Sequence, residues 1–415
     1  MPKLRFPGFE GEWENALFTD LFSFLGNNTL SRAELTDIGK VKNIHYGDVL
    51  IRFSDVINTN DSIIPYIKNE ESLKKKTDYL QTGDVVIADT AEDDSVGKAT
   101  EIFNPNNIPT VAGLHTIPCR PNFSFTPSYL GYYINSKTFH RQLYPYMQGI
   151  KVTSISKGNI GKTLISYPNL SEQCKIANLL NILSKRISKQ QQLVEVLKLY
   201  KRGLSEAIFT KKMNLGSDAN IQWEKHRLGS LGFFYNGLSG KSKDDFGSGN
   251  CEFISYMNIY KNLIVDTQAL ESVKVSASEK QNLVQYGDIL FTQSSETLEE
   301  IGYSSVWLST KTPYLNSFCF GFRFHTLNEI DPYFIAHYFR SSSIRNAIMR
   351  EGQGATRVNL SSERLKDIVV SLPPLFIQKR IGAVMNDLQV QISHNSEINN
   401  RLCAYKNGLL QSLFI

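Results

Sequence analysis

Hydrophobic positions along this chain follow two rhythms, and the pair of rhythms occurs twice. Up to about residue 170 the apolar residues come in short β-branched and aromatic runs such as Asp84-Val85-Val86-Ile87-Ala88, bounded by Gly, Asn, Pro and Ser, as strands and turns are. Tyr167-Pro168-Asn169 then breaks the pattern, since proline lacks a backbone donor and restricts its predecessor. A heptad rhythm follows, with a/d positions Ile176, Leu180, Leu183, Ile187, Gln190, Val194, Leu197, Lys201, Leu204 and Ile208. It predicts a helix from about Ser171 to about Lys211. The second round has strand-like runs such as Asp288-Ile289-Leu290-Phe291-Thr292, a break at Leu372-Pro373-Pro374, and a helix from about Leu375 onward. Its seam reads Ile381, Met385, Leu388, Ile392, Asn395, Asn399, Leu402, Lys406, Leu409 and Leu413. Eight of ten and seven of ten seam positions are apolar, which favours coiled-coil packing over a surface helix. At ~1.5 Å per residue, about forty residues make a rod of roughly 60 Å.

The two rounds are copies. Shifted by 205, Gln148-Gly149 falls on Gln353-Gly354, Pro168 on Pro373, Gln173 on Gln378, Ile176 on Ile381 and Phe209 on Phe414. Upstream the register becomes 210, placing Trp13 on Trp223 and Tyr46 on Tyr256, and Thr82-Gly83-Asp84-Val85 meets Tyr286-Gly287-Asp288-Ile289 at 204. A register held over most of the chain marks a tandem duplication. The expected fold class is α+β: two tandem mixed α/β domains separated by two long helices forming an antiparallel coiled coil, with a pseudo-twofold internal duplication. Antiparallel pairing brings Gln190 near Asn399 and Val194 near Asn395, a polar layer that fixes register at some cost in stability.

Composition bounds the class. With 415 residues, 41% hydrophobic and 20% charged, the chain has apolar surface for more than one core, which excludes a disordered or fibrous protein. No stretch approaches eighteen apolar residues and the first residues carry no signal core, so no membrane span and no export are expected. Five widely spaced cysteines without CxxC spacing suit a reducing cytoplasm, with neither disulfides nor a zinc knuckle.

The net charge of +5 is unevenly placed. Residues 171–213 alone carry nine basic and three acidic side chains, whereas residues 1–170 and 214–375 are slightly acidic. Between Ile102 and Ser171 there are six Lys/Arg and no carboxylate, a one-sidedness that suits a phosphate-facing surface.

Catalytic motifs fail on inspection. Gly237-Leu238-Ser239-Gly240-Lys241-Ser242 ends like a phosphate-binding loop, but tyrosine stands at 235 where the first glycine belongs. Asn104-Pro105-Asn106 lacks the second proline and aromatic of an amino-methyltransferase motif. The seven histidines show no metal spacing, and the acidic stretch Asp84 to Asp94 is not reproduced in the second copy, so no metal site is expected.

Loops that match between copies are the better candidates for ligand contact. Ser31-Arg32 lies opposite Lys241-Ser242-Lys243, and the glycine loop with Lys151 and Thr153 lies opposite the one with Thr356, Arg357 and Asn359. Glycine beside Lys, Thr and Arg is the chemistry of a backbone-phosphate clamp. Asp89 and Glu92 face Gln293, Ser294 and Glu296, groups able to read base edges, carboxylates accepting from cytosine N4 and Gln pairing with adenine. These fifteen residues are the candidate DNA contacts; no catalytic or metal-binding residue is assigned.

The whole pattern resembles the DNA-specificity subunits of type I restriction–modification enzymes. The resemblance is most specific where Leu372-Pro373-Pro374-Leu375-Phe376-Ile377-Gln378-Lys379-Arg380-Ile381 and Tyr167-Pro168-Asn169-Leu170-Ser171-Glu172-Gln173-Cys174-Lys175-Ile176 open the long helices. Asn169 and Ile377 depart mildly from the family pattern, which usually has proline and glutamate there. The resemblance implies two target recognition domains (1–170 and 214–374), each reading half of a bipartite site in double-stranded DNA. It implies helical spacer regions at 171–213 and 375–415 whose length sets the gap. It also implies two methyltransferase subunits carrying S-adenosylmethionine and two restriction/translocase subunits using ATP and Mg2+, with no cofactor and no catalysis in this chain, and a cytoplasmic location. Two rival classes are a stand-alone nuclease or methyltransferase, against which the failed motifs argue, and a coiled-coil protein-interaction scaffold without DNA specificity.

Overall fold

The computed structural model describes residues 2–149, 151–210, 221–354 and 356–414. The chain divides into two compact units, one comprising residues 1–191 with 397–415, the other residues 192–396.

In the first unit a five-stranded sheet runs in the order Phe22–Phe24, Thr116–Pro121, Val85–Ala88, Ala99–Phe103, Val56–Asn58, beside a four-stranded sheet ordered Thr110–Ala112, Lys42–Ile44, Tyr66–Ile67, Leu35–Thr36. The run Val85-Val86-Ile87-Ala88 is apolar throughout because it is central and covered on both faces. Val85 and Ile87 enter one core with Phe18, Tyr129 and Phe139, whereas Val86 and Ala88 enter another with Ile44 and Ile57, as the period of two demands. The second unit repeats this division. Ile289 and Phe291 join Phe322 and Phe334, and Leu290 joins Trp307 and Leu315.

The duplication extends to individual hydrogen bonds. Arg120 donates bidentately to buried Asp84 (2.8 and 2.7 Å), and Arg323 does the same to Asp288 (2.9 and 2.7 Å). Each aspartate also accepts from the backbone three residues earlier, Gln81 N–H or Gln285 N–H, closing the turn whose glycine, Gly83 or Gly287, has φ near +90°. The Tyr133 hydroxyl accepts from Ser166 N–H and the Tyr338 hydroxyl from Ser371 N–H, both at 2.8 Å.

The long helices span Leu170–Phe209 and Leu375–Leu413. The expected first-helix end at Lys211 and the boundary at 213/214 lie outside the described residues. Within the first unit, Ile176, Leu180 and Leu183 from the start of one helix share a core with Leu409, Leu410, Leu413 and Phe414 from the end of the other. Within the second unit, Ile208 and Phe209 share a core with Ile377, Ile381 and Met385. Start meets end in both units, so the pairing is antiparallel. A fully buried Leu180 or Ile381 contributes about 1.5–3 kcal/mol of apolar transfer.

Candidate nucleic-acid interface

Both units build the same polar corner. In the first, Gln148 and Ser154 exchange two backbone hydrogen bonds (3.1 and 2.8 Å) and close the loop between them. Gly149 has φ +120°, and a Cβ there would lie 1.9 Å from the Val152 carbonyl oxygen, so only glycine fits. In the second, Gln353 and Asn359 close the equivalent loop (2.9 and 2.7 Å), and Gly354 at φ +122° meets the Arg357 carbonyl in the same way. The middle residues of the two loops, Ile150 and Ala355, lie outside the described residues.

Short antiparallel ladders join each loop to the second candidate segment. Thr153 pairs with Ala91 and Ser154 with Thr90; Ser294 pairs with Asn359 and Ser295 with Val358. Asp89 carbonyl accepts from Ile155 N–H and Gln293 carbonyl from Leu360 N–H, both at 2.9 Å. Candidates separated by more than sixty residues of sequence are therefore neighbours: Asp89 with Thr153, and Gln293 and Ser294 with Arg357 and Asn359. Glu92, Lys151, Glu296 and Thr356 are exposed at the same corners.

An aromatic group completes each corner. In the second unit Tyr256, Gln293, Ser294, Phe318, Arg357 and Asn359 line a cleft of about 580 Å³, with Phe318 67% exposed at its edge. The Tyr256 hydroxyl donates to the Ser294 carbonyl (2.7 Å), and burial holds its pKa above the usual phenol value. In the first unit His115, at left-handed φ +52°, packs edge-on against Tyr46 (5.3 Å between centroids) and approaches Asp89 at 3.2 Å. An exposed ring beside amides, a guanidinium and a carboxylate offers stacking together with hydrogen bonds to base edges. Sequence reasoning missed His115 and Phe318. They align only at a shift of 203, the register of the strands Thr116–Pro121 and Cys319–Phe324 that follow them.

The other candidates sit at a second, also duplicated, turn. Ser31 and Glu34 form a capping box around Arg32–Glu34, and Ser242 and Asp245 form one around Lys243–Asp245. Arg32 donates from both terminal nitrogens to buried Asp48, and its side chain remains half exposed. That pair fastens the turn to helix Tyr46–Ile51, so Ser31 and Arg32 connect through Tyr46 to His115 and Asp89. Lys241 is different: its side chain is 6% exposed and its ammonium pairs with Glu279, while neighbouring Lys243 stays exposed. Glu279 responds with a pKa lowered to about 2, the Lys241 hydrogen bond being the main cause. Among the described residues, no group of three His, Cys, Asp or Glu is placed to hold a metal, and no helix is long and apolar enough to cross a membrane.

The model of the type I restriction modification DNA specificity domain matches this chain twice, over residues 10–198 and 220–404. The chain belongs to this family. This specificity subunit is 24% identical over 377 residues to the type I restriction enzyme EcoKI specificity subunit of Escherichia coli (strain K12), covering 88% of this chain and 80% of that protein. It is 23% identical to the putative type I restriction enzyme MjaX specificity subunit of Methanocaldococcus jannaschii, covering 96% and 93%. Among solved structures, the S subunit of a type I system from M. genitalium superposes with TM-score 0.60 at 16% identity, over 100% of this chain and 99% of that one. A chain from a structure on complex assembly and conformational transition of the type I R-M system gives 0.55 at 16% identity, covering 98% of each. The fold is that of S subunits, and the family role is DNA specificity without catalysis within a type I complex.

Proposed function

We propose that each unit reads one half of a bipartite double-stranded DNA site through its duplicated corner, and that the antiparallel helices set the unspecified spacer. The recognition domains in this reading are residues 1–170 and 214–374, with spacer helices at 171–213 and 375–415. The observation that carries it is that corners with matching backbone ladders and loop closures hold different side chains: Asp89, His115, Lys151 and Thr153 in one, Gln293, Phe318, Arg357 and Asn359 in the other. A shared scaffold with dissimilar reading groups is what two unlike half-sites require. Lys243 and Arg32 add positive charge at the capping-box turns, suited to phosphates. Lys241 and Ser242 would act by shaping that turn.

In the same reading the chain holds no cofactor and docks two methyltransferase subunits carrying S-adenosylmethionine, and two restriction/translocase subunits using ATP and Mg2+, in the cytoplasm. The test is methylation mapping by single-molecule sequencing in cells expressing this chain with its cognate methyltransferase subunit. One bipartite adenine-methylated motif with a fixed spacer supports the proposal. A soluble complex that leaves no motif overturns it.

A further inference from the structure

The second unit contains a pocket of about 560 Å³ where helix Pro332–Phe339 meets the long helices, lined among others by Lys198, Lys201, Arg202, Leu263, His337 and Arg340. Lys198 pairs with Glu195 (2.9 Å), but the charge of the other cations is poorly balanced from within. The Lys201 ammonium donates to the amide oxygen of Gln389, a neutral acceptor. Arg340 donates to the carbonyls of Ser304, Ile259, Tyr260 and Asn262, stacks 4.3 Å over the Tyr303 ring, and makes no ion pair among the described residues. Glu206, the one carboxylate among the described lining residues, accepts from the Ser342 hydroxyl. His337 is 3% exposed, and its Nε2 has no hydrogen-bond partner among the described residues. An orphaned buried ring nitrogen beside surplus positive charge is costly unless something else binds there.

The first unit shows which group the second lacks. The duplication sets Lys406 opposite Lys201 and Tyr132 opposite His337. Glu101 N–H donates to the Asp55 carbonyl (2.8 Å) and Val306 N–H to the Leu263 carbonyl (3.1 Å), so Leu263 stands where Asp55 stands. The Asp55 carboxylate forms an ion pair with Lys406, and the Tyr132 hydroxyl bonds Asn181 and Ser184 (2.9 and 3.0 Å). The first unit thus neutralises this position with its own carboxylate, and the second has leucine there.

We propose that the pocket of the second unit binds a phosphate-class oxyanion between Lys201 and His337, in the place that Asp55 fills in the first unit. Several cations around a space larger than one carboxylate favour a multiply charged, multidentate anion. Lys201 supplies charge-assisted donors, and His337, in the tautomer protonated at Nε2, supplies a neutral one. Burial and the nearby Arg340 hold Lys201 down to about 8, so an arriving anion finds an ammonium short of counter-charge. Free phosphate and the phosphate of a nucleotide share this chemistry.

The experiment is calorimetric titration of the full chain with inorganic phosphate, adenosine monophosphate and acetate, for the wild type and for Leu263→Asp and Lys201→Gln. The expected result is saturable binding at one site per chain, weakened roughly tenfold or more in either variant, Leu263→Asp because it restores the internal carboxylate. Equal affinity for the two phosphate probes assigns the site to the phosphate group alone, and tighter binding of the monophosphate assigns it to a nucleotide; both uphold the oxyanion. Absence of saturable binding, undiminished binding in both variants, or acetate binding as tightly as phosphate overturns it.

Discussion

Gln173 and Gln378, 205 positions apart, make the same pair of hydrogen bonds at the first turn of the two long helices. Gln173 donates to the Pro168 carbonyl (2.8 Å) and accepts from Thr126 N–H (2.9 Å); Gln378 donates to the Pro373 carbonyl (2.9 Å) and accepts from Asp331 N–H (3.0 Å). Each buried amide ties the proline break to the segment leading into the helix Tyr129–Ile134 or Pro332–Phe339. Gln378 also donates to the Glu329 carbonyl (2.9 Å), so replacing it by Leu would strand two carbonyls and an N–H, and a loss of about 2–3 kcal/mol in unfolding free energy is expected by urea denaturation.

The Arg–Asp pairs predict an asymmetry. Asp84→Ala should cost about 3 kcal/mol, since the buried acceptor of Arg120 and Gln81 N–H disappears. Asp288→Ala should cost about 1 kcal/mol more, because Asp288 also accepts from the Tyr235 hydroxyl at 2.6 Å. Denaturant midpoints of the two variants, measured side by side, check the order.

Glu101 is nearly fully buried, and burial raises its pKa from 4.5 to about 7, although the N–H groups of Ser128 and Gly131 oppose the shift. Between those values the folded chain keeps a proton that the unfolded chain has released, so this group's contribution to stability falls as pH rises from about 4.5 to 7 and is flat above. Urea midpoints at pH 5 and pH 8 should fall less between the two in Glu101→Gln than in the wild type.

Gly354→Ala forces a Cβ to within 2.1 Å of the Arg357 carbonyl oxygen at a φ that only glycine adopts easily. The loop is exposed, so the melting temperature should scarcely change while methylation of one half-site motif collapses. Gly149→Ala should do the same to the other half.

Arg357→Ala should weaken specific DNA binding by about 1–3 kcal/mol and relax specificity in one half of the motif, with the salt dependence unchanged. A salt slope lowered by about one with specificity intact would place Arg357 on a phosphate instead.

Much of the fold was legible because its periods are regular. The seam from Ile176 to Ile208 and the alternation through Val85–Ala88 follow geometry that a side chain's own neighbours enforce. The candidate corners were legible as matching loops for the same reason: glycine at 149 and 354 answers to local backbone needs. The fate of individual charges was not. Lys241 spends its charge on Glu279, 38 residues away, and Arg32 on Asp48, 16 residues away, and no local pattern encodes such partners. His115 and Phe318 escaped because insertions between the copies shift the register to 203 at that point.

The first unit is assembled from both ends of the chain. Leu409, Leu413 and Phe414 lie in its core, Phe414 meets Tyr129 and Tyr133 edge-on, and Leu4 N–H donates to the Ser412 carbonyl. On the ribosome, residues 2–191 therefore emerge with their core unfinished and wait while the whole second unit is made. The body begun first is the last to close: residues 192–396 are complete before residues 409–414 arrive to fill the first body's core, and truncation near residue 400 damages the body translated first.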